Sequence, residues 1–98
     1  MLRRRRSPPG PDRARAGLRV DVLYFAILRE RLRRDGDTLE LPEGSDVSAA
    51  RAAIARRHPE VAALLPRIAT AVNRAIVVEG HALADGDELA LIPPVSGG

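Results

Sequence analysis

The sequence predicts an α+β fold: a mixed sheet of four to five strands crossed by one main helix. Three features predict it. Residues 18–25, "LRVDVLYF", alternate with period two. Residues 47–58, "VSAARAAIARRH", carry apolar side chains at helical spacing. Residues 83–94, "LADGDELALIPP", run from an Asp-Gly turn into a second alternating stretch. Ninety-eight residues with 45% apolar side chains suffice for one small core.

Each element carries its own signal. In the first strand Val20, Val22 and Tyr24 share one face, and Arg19, Asp21, Leu23 and Phe25 share the other. That second face turns from charged to apolar along its length, which a solvated face does not need. Leu23 and Phe25 are therefore candidates for a partner surface, or for cover by a neighbouring helix. "AILRERLRR" places Leu28 and Leu32 at i, i+4 with Asp35-Gly36 as a stop, giving a short helix. "DTLELP" reads as a strand with Leu39 and Leu41 on one side, ended by Pro42.

Ser45 or Asp46 caps the main helix, whose stripe is Val47, Ala50 and Ile54, and Pro59 ends it. A stripe so short of bulk lies close against a sheet. "PEVAALLPRI" fits one helical turn, and "TAVNRAIVVEG" fits one or two short strands. In the last strand Leu89 and Leu91 share one face, leaving Glu88, Ala90 and Ile92 on the other. First and last strands are expected to be parallel neighbours, which puts Phe25 and Ile92 at the same end of the sheet, beside the departing tail.

The net charge of +3 does not describe the domain. Residues 1–15 hold six arginines against Asp12, whereas residues 16–98 hold ten arginines against twelve acids. Residues 1–17, rich in arginine, proline and glycine, cannot bury enough surface to offset ordering and are expected to be a disordered leader. A polybasic arm for nucleic acid is the minor reading, since no aromatic side chains are interleaved for stacking. A start of translation nearer Leu18 is the third. The expected organisation is the leader, a domain over 18–92 and a flexible tail over 93–98. No run of eighteen apolar residues exists, and no apolar stretch follows the opening arginines, so a cytoplasmic protein without membrane contact is expected.

Side-chain chemistry is sparse. The chain has no cysteine, hence no disulfide, thiolate metal site or thiol nucleophile. His58 and His81 lack ligand spacing and read as surface histidines; no metal site is expected. The acids of "LADGDEL" fit a turn better than a calcium loop. The unusual group is the carboxylate of Gly98, preceded by Gly97, two residues without a Cβ that suit close passage past another surface.

"VLYFAILRE", "AVN" and the closing "LADGDELALIPPVSGG" resemble the small subunits of molybdopterin synthase, ubiquitin-like sulfur carriers of β-grasp fold in the MoaD/ThiS family. The likeness covers about residues 18–98, and the Pro-Pro-Val-Ser lead-in to Gly-Gly is its specific part. Ile27 departs from it, standing where a polar or basic residue is common.

The resemblance implies that Gly98, supported by Gly97, is the chemical centre. An E1-like adenylyltransferase would use ATP to convert its carboxylate to an acyl-adenylate, and persulfide sulfur would then give a thiocarboxylate. The carrier itself would bind no cofactor and be no enzyme alone. A large subunit, in a heterotetramer of two small and two large subunits, would hold cyclic pyranopterin monophosphate and receive the sulfur. Phe25, Ile76 and Ile92 match the apolar docking positions and Arg29 a nearby arginine, a role that stands beside plain solvation. Pro93, Pro94, Val95 and Ser96 would enter the partner with the glycines, six residues reaching roughly 20 Å when extended. A carrier for thiamin, cysteine or transfer-RNA thiolation, or a ubiquitin-like modifier, would use the same tail.

Overall fold

The computed structural model describes residues 17–94. The expectations for the leader over 1–16 and for Val95, Ser96, Gly97 and Gly98 lie outside the described residues. Five strands, β1 (Gly17–Tyr24), β2 (Gly36–Pro42), β3 (Ala69–Val72), β4 (Ala75–Val77) and β5 (Glu88–Ile92), form one sheet in the order β2-β1-β5-β3-β4. The first strand opens at Gly17, one residue before the expected boundary. β1 and β5 are parallel neighbours, with Tyr24 opposite Leu91, and the other pairs are antiparallel. The mixed sheet and the parallel central pair are those expected.

Alternation decides which face is buried. Val20, Val22, Tyr24, Leu39, Leu41, Leu89 and Leu91 all point into one core. Against them lie α1 (Ile27–Leu32), through Leu28, and α2 (Val47–Arg57), through Val47, Ala50 and Ile54. The segment Pro59–Arg67, a single turn by expectation, is nine residues of 3-10 helix that bury Val61 and Leu65. Pro66 within it has no N–H to donate, so only a short irregular helix is tolerated there.

The end of α1 differs from expectation. It stops at Arg33, whose φ of 57° is left-handed, and the Arg33 N–H donates to the carbonyl of Arg29. Gly36 instead opens β2, where a Cβ would collide with the Val22 carbonyl. Asp46 is the cap of α2, its Oδ1 accepting from the Ala49 N–H at 2.9 Å. The next orphan donors, the Val47 and Ser48 N–H groups, bond to the carbonyls of His81 and Glu79, so the loop before β5 covers the helix start.

Two buried polar groups tie the elements together. Arg51 falls on the buried stripe of α2; its Nη1 donates to the Ile68 carbonyl and Thr70 Oγ1, each at 2.9 Å, and its Nη2 to the Leu65 carbonyl. These bonds join α2 to the end of the 3-10 segment and the start of β3. Asp37 is the other hub. Its Oδ2 accepts from the Tyr24 hydroxyl at 2.6 Å and lies 2.8 Å from His58 Nε2, while Arg34 and Arg57 approach Oδ1 at 3.3 and 3.6 Å. His58 is therefore buried and bonded, correcting the surface reading; His81 is exposed.

Burial alone raises the Asp37 pKa, but the hydrogen bonds with Tyr24 and His58 and the Arg34 charge outweigh it and hold the carboxyl below its ordinary value. A depressed carboxyl stabilises the fold in full above its unfolded pKa of about 4, and the contribution is lost as pH falls through the lower folded value. Asp37→Asn should thus cost about 1–3 kcal/mol at neutral pH. In urea melts the gap to wild type should close as pH falls below about 4.

Candidate docking surface and tail base

The parallel register of β1 and β5 sets Leu23 opposite Ala90, and β5 in turn sets Ala90 opposite Ala71. A two-residue turn at Asn73-Arg74, with φ of 50° and 74°, folds β4 back so that Ile76 stands opposite Ala71. Leu23, Ala90, Ala71 and Ile76 thus form one row across the sheet, on the face away from the core. Phe25 and Ile92 follow at the ends of their strands. Together with Arg74 and Glu88 these residues line a cavity of about 370 Å³ with small alanines in its middle and large apolar side chains around them.

Exposure separates this surface from the core. Ile76, Phe25 and Ile92 are 67%, 42% and 38% exposed, whereas Val22 on the opposite face is 1% exposed. Among the described residues no helix contributes to this cavity, so of the two readings of Leu23 and Phe25 the open surface is favoured, with Phe25 exposed and Leu23 half-buried at its side. A contiguous apolar patch with no cover is characteristic of a contact site for another molecule.

The structure therefore brings Phe25, Ile76 and Ile92 together and sets Pro93 and Pro94 directly beyond them. The prolines line a separate groove with Ala26 and Ile27. Arg29 is exposed on α1 and lines neither cavity. Face parity identifies Phe25 and Ile92; Ile76 is reached only through the family resemblance, because its place depends on the β3–β4 register. The Asn73-Arg74 turn is the signal for that register.

Asn73 also anchors the site. Its side chain donates to Asp87 Oδ1 at 2.9 Å and accepts from the Glu88 N–H at 3.0 Å, fixing the start of β5. Asp87 accepts from the Ala84 N–H within the turn, and Asp85 accepts from the Arg19 N–H of β1, so both aspartates of this loop are engaged in structural hydrogen bonds. Among the described residues no cluster of three potential metal ligands occurs, and no helix is long and apolar enough to cross a membrane.

A five-stranded mixed sheet with one main helix and an uncovered patch beside its last strand defines a ubiquitin-like β-grasp protein. Solved structures agree. Small archaeal modifier protein 1 from Haloferax volcanii superposes with a TM-score of 0.76 at 28% identity, over 81% of this chain and 100% of that one. A chain in a complex of subunits 1 and 2 of the molybdopterin-converting factor from Helicobacter pylori matches with a TM-score of 0.61 at 26% identity, over 83% of this chain and 100% of that one.

The ThiS family model matches residues 22–98, and the chain belongs to that family. A curated relative, the molybdopterin synthase sulfur carrier subunit of Chlamydomonas reinhardtii, is 37% identical over 83 residues, covering 83% of this chain and all of the relative.

The two faces of the sheet should respond differently to truncation, Val22 on β1 facing the core and Ile76 on β4 facing away from it. Val22→Ala is expected to cost on the order of 1–3 kcal/mol through lost burial and a cavity. Ile76→Ala, on the open face, should change stability by about 0.5 kcal/mol or less. Denaturant melts of both variants check the assignment.

Proposed function

We propose that this chain is the sulfur-carrier subunit of a molybdopterin synthase. The observation that carries the reading is the family match running to Gly98, together with full-length likeness to a relative bearing that name. The exposed side chains of Phe25, Ile76 and Ile92 beside the tail base support it, because a carrier must dock through its domain while its terminus reaches another protein's site.

A carboxylate is a poor acyl donor because its oxygen is a bad leaving group. Attack of the Gly98 carboxylate on the α-phosphorus of ATP, in an adenylating partner, releases pyrophosphate and leaves an acyl-adenylate. A persulfide sulfur then attacks the acyl carbon and AMP departs. Cleavage of the resulting acyl disulfide by a thiol leaves the thiocarboxylate. In the large subunit this group would donate sulfur to cyclic pyranopterin monophosphate, two carriers serving the two sulfurs of the dithiolene.

The role of the fold is positional. Pro93 and Pro94 stiffen the base of the tail and lower the entropy lost on insertion, and Gly97 and Gly98 carry no side chain that would obstruct a narrow channel. A protein modifier is the second reading, favoured by the structural likeness to small archaeal modifier protein 1. It shares the activation step and differs in its acceptor, an amine in place of the pterin.

Deleting Gly98, or adding one residue after it, should abolish sulfur transfer in a reconstituted synthase assay and leave thermal melts unchanged. Activity retained by the extended protein would refute the reading. Phe25→Ala should weaken binding to the large subunit by roughly 1–3 kcal/mol, as expected for an aromatic anchor. Calorimetric titration beside a thermal melt measures it.

A further inference from the structure

Residues adjacent in sequence divide between the two sides of the strand ends. Phe25 and Ile92 line the sheet-face cavity, while Ile27, Pro93 and Pro94 line a groove of about 610 Å³ on the helix side. The 3-10 segment also lines that groove, through half-buried Leu64, as does buried Ile68 just after it. Ile27 itself is 39% exposed. Arg31 and Arg67, both exposed, also line it, and among the described residues neither forms an ion pair.

Two cations bordering an uncovered apolar groove suit an apolar side chain accompanied by a carboxylate. Burial of the apolar group supplies affinity, and the charges select the partner and speed encounter. Continuity identifies the source. β1 and β5 end side by side, and at each end the two cavities are separated by no more than neighbouring residues of the chain. A protein that takes in the tail beyond Pro94 passes this junction and meets both cavities.

We propose that the groove is the second half of the docking surface for the protein that accepts the tail, and that it receives from that protein an apolar side chain flanked by a carboxylate. The inference rests on the carrier reading above. The partner then grips the base of the tail from both sides, the sheet face through Phe25 and Ile92 and the helix side through Ile27 and the prolines. Such a grip fixes the direction in which the tail leaves the domain, which a contact on one face alone does not.

The test measures the double variant R31E/R67E and, separately, I27Q against the molybdopterin synthase large subunit by calorimetry at low and high salt, with Phe25→Ala as the sheet-face control. Thermal melts should match wild type, since all three positions are exposed. The charge reversal should weaken binding about tenfold or more and flatten its salt dependence, and I27Q should weaken it several-fold. Binding within about twofold of wild type for both, with Phe25→Ala still weakened, overturns the proposal and leaves the carrier reading intact.

If wild type binds only the adenylating enzyme and the same variants weaken that complex, the groove proposal stands and the acceptor assignment falls. Wild type that binds neither protein removes both. Self-association that disappears in the variants during sedimentation would give the groove to a second copy. Perturbed Ile27 resonances on deletion of residues 95–98 without any partner would give it to the chain's own tail. Either result overturns the proposal.

Discussion

The parallel pairing of β1 with β5 is the constraint on which the rest of this structure depends. It joins the two ends of the domain, so the core can close only after nearly the whole chain is in place. It also brings the C-terminal ends of both strands to one edge of the molecule. Phe25 and Ile92, separated by most of the sequence, become neighbours there, and the tail leaves from the same point. A different strand order would leave the exposed apolar side chains scattered and the tail without an apolar patch at its base.

Holding that pair in place takes polar groups as well as apolar ones. Asp37 on β2 binds Tyr24 of β1 and His58 at the end of α2, so it fastens the outer strand to both the central pair and the helix. The cost of burying its charge is offset by the surrounding donors. Arg51 does the corresponding work on the other side, donating to the carbonyls of Leu65 in the 3-10 segment and of Ile68 just after it, and to the Thr70 hydroxyl. On the β5 side, Asn73 and Asp87 fix where the strand begins. The apolar core is made largely of Val, Leu, Ala and Ile with a single tyrosine, so these directional bonds help a small core select one register.

Much of the fold was legible because its signals are local. Period-two alternation gives the inward faces of β1, β2 and β5, and Ser45 or Asp46 with Pro59 bounds α2, the hydrogen bond to Ala49 deciding for Asp46. What was missed depends on contacts distant in sequence. His58 looks like a helix-end surface residue until β2 brings Asp37 to it. The end of α1 was misplaced because Gly36 answers to the Val22 carbonyl and not to the helix. Arg51 was partly legible, since it lies at i+4 from Val47 on the stripe, but an arginine among alanines reads as solvated until carbonyls are known to await it. In the candidate site, Phe25 and Ile92 followed from parity along single strands. Ile76 required a register across three strands, which only the fold or a family likeness supplies.

The division of labour between domain and tail follows from the chemistry available to each. Apart from His58 and His81, every basic side chain is arginine, and there is no cysteine. Guanidinium stays protonated at physiological pH and is not a nucleophile. A domain so composed offers an activated terminal acyl group no side-chain amine or thiol to attack, on its own copy or on a neighbour. Reactivity can then be confined to whatever protein has taken the tail in. On the carrier reading, the exposed Phe25, Ile76 and Ile92 and the groove beside Pro93 and Pro94 would then matter more to such a chain than any pocket of catalytic groups, because specificity would be set by which surface the domain meets before the terminus is within reach.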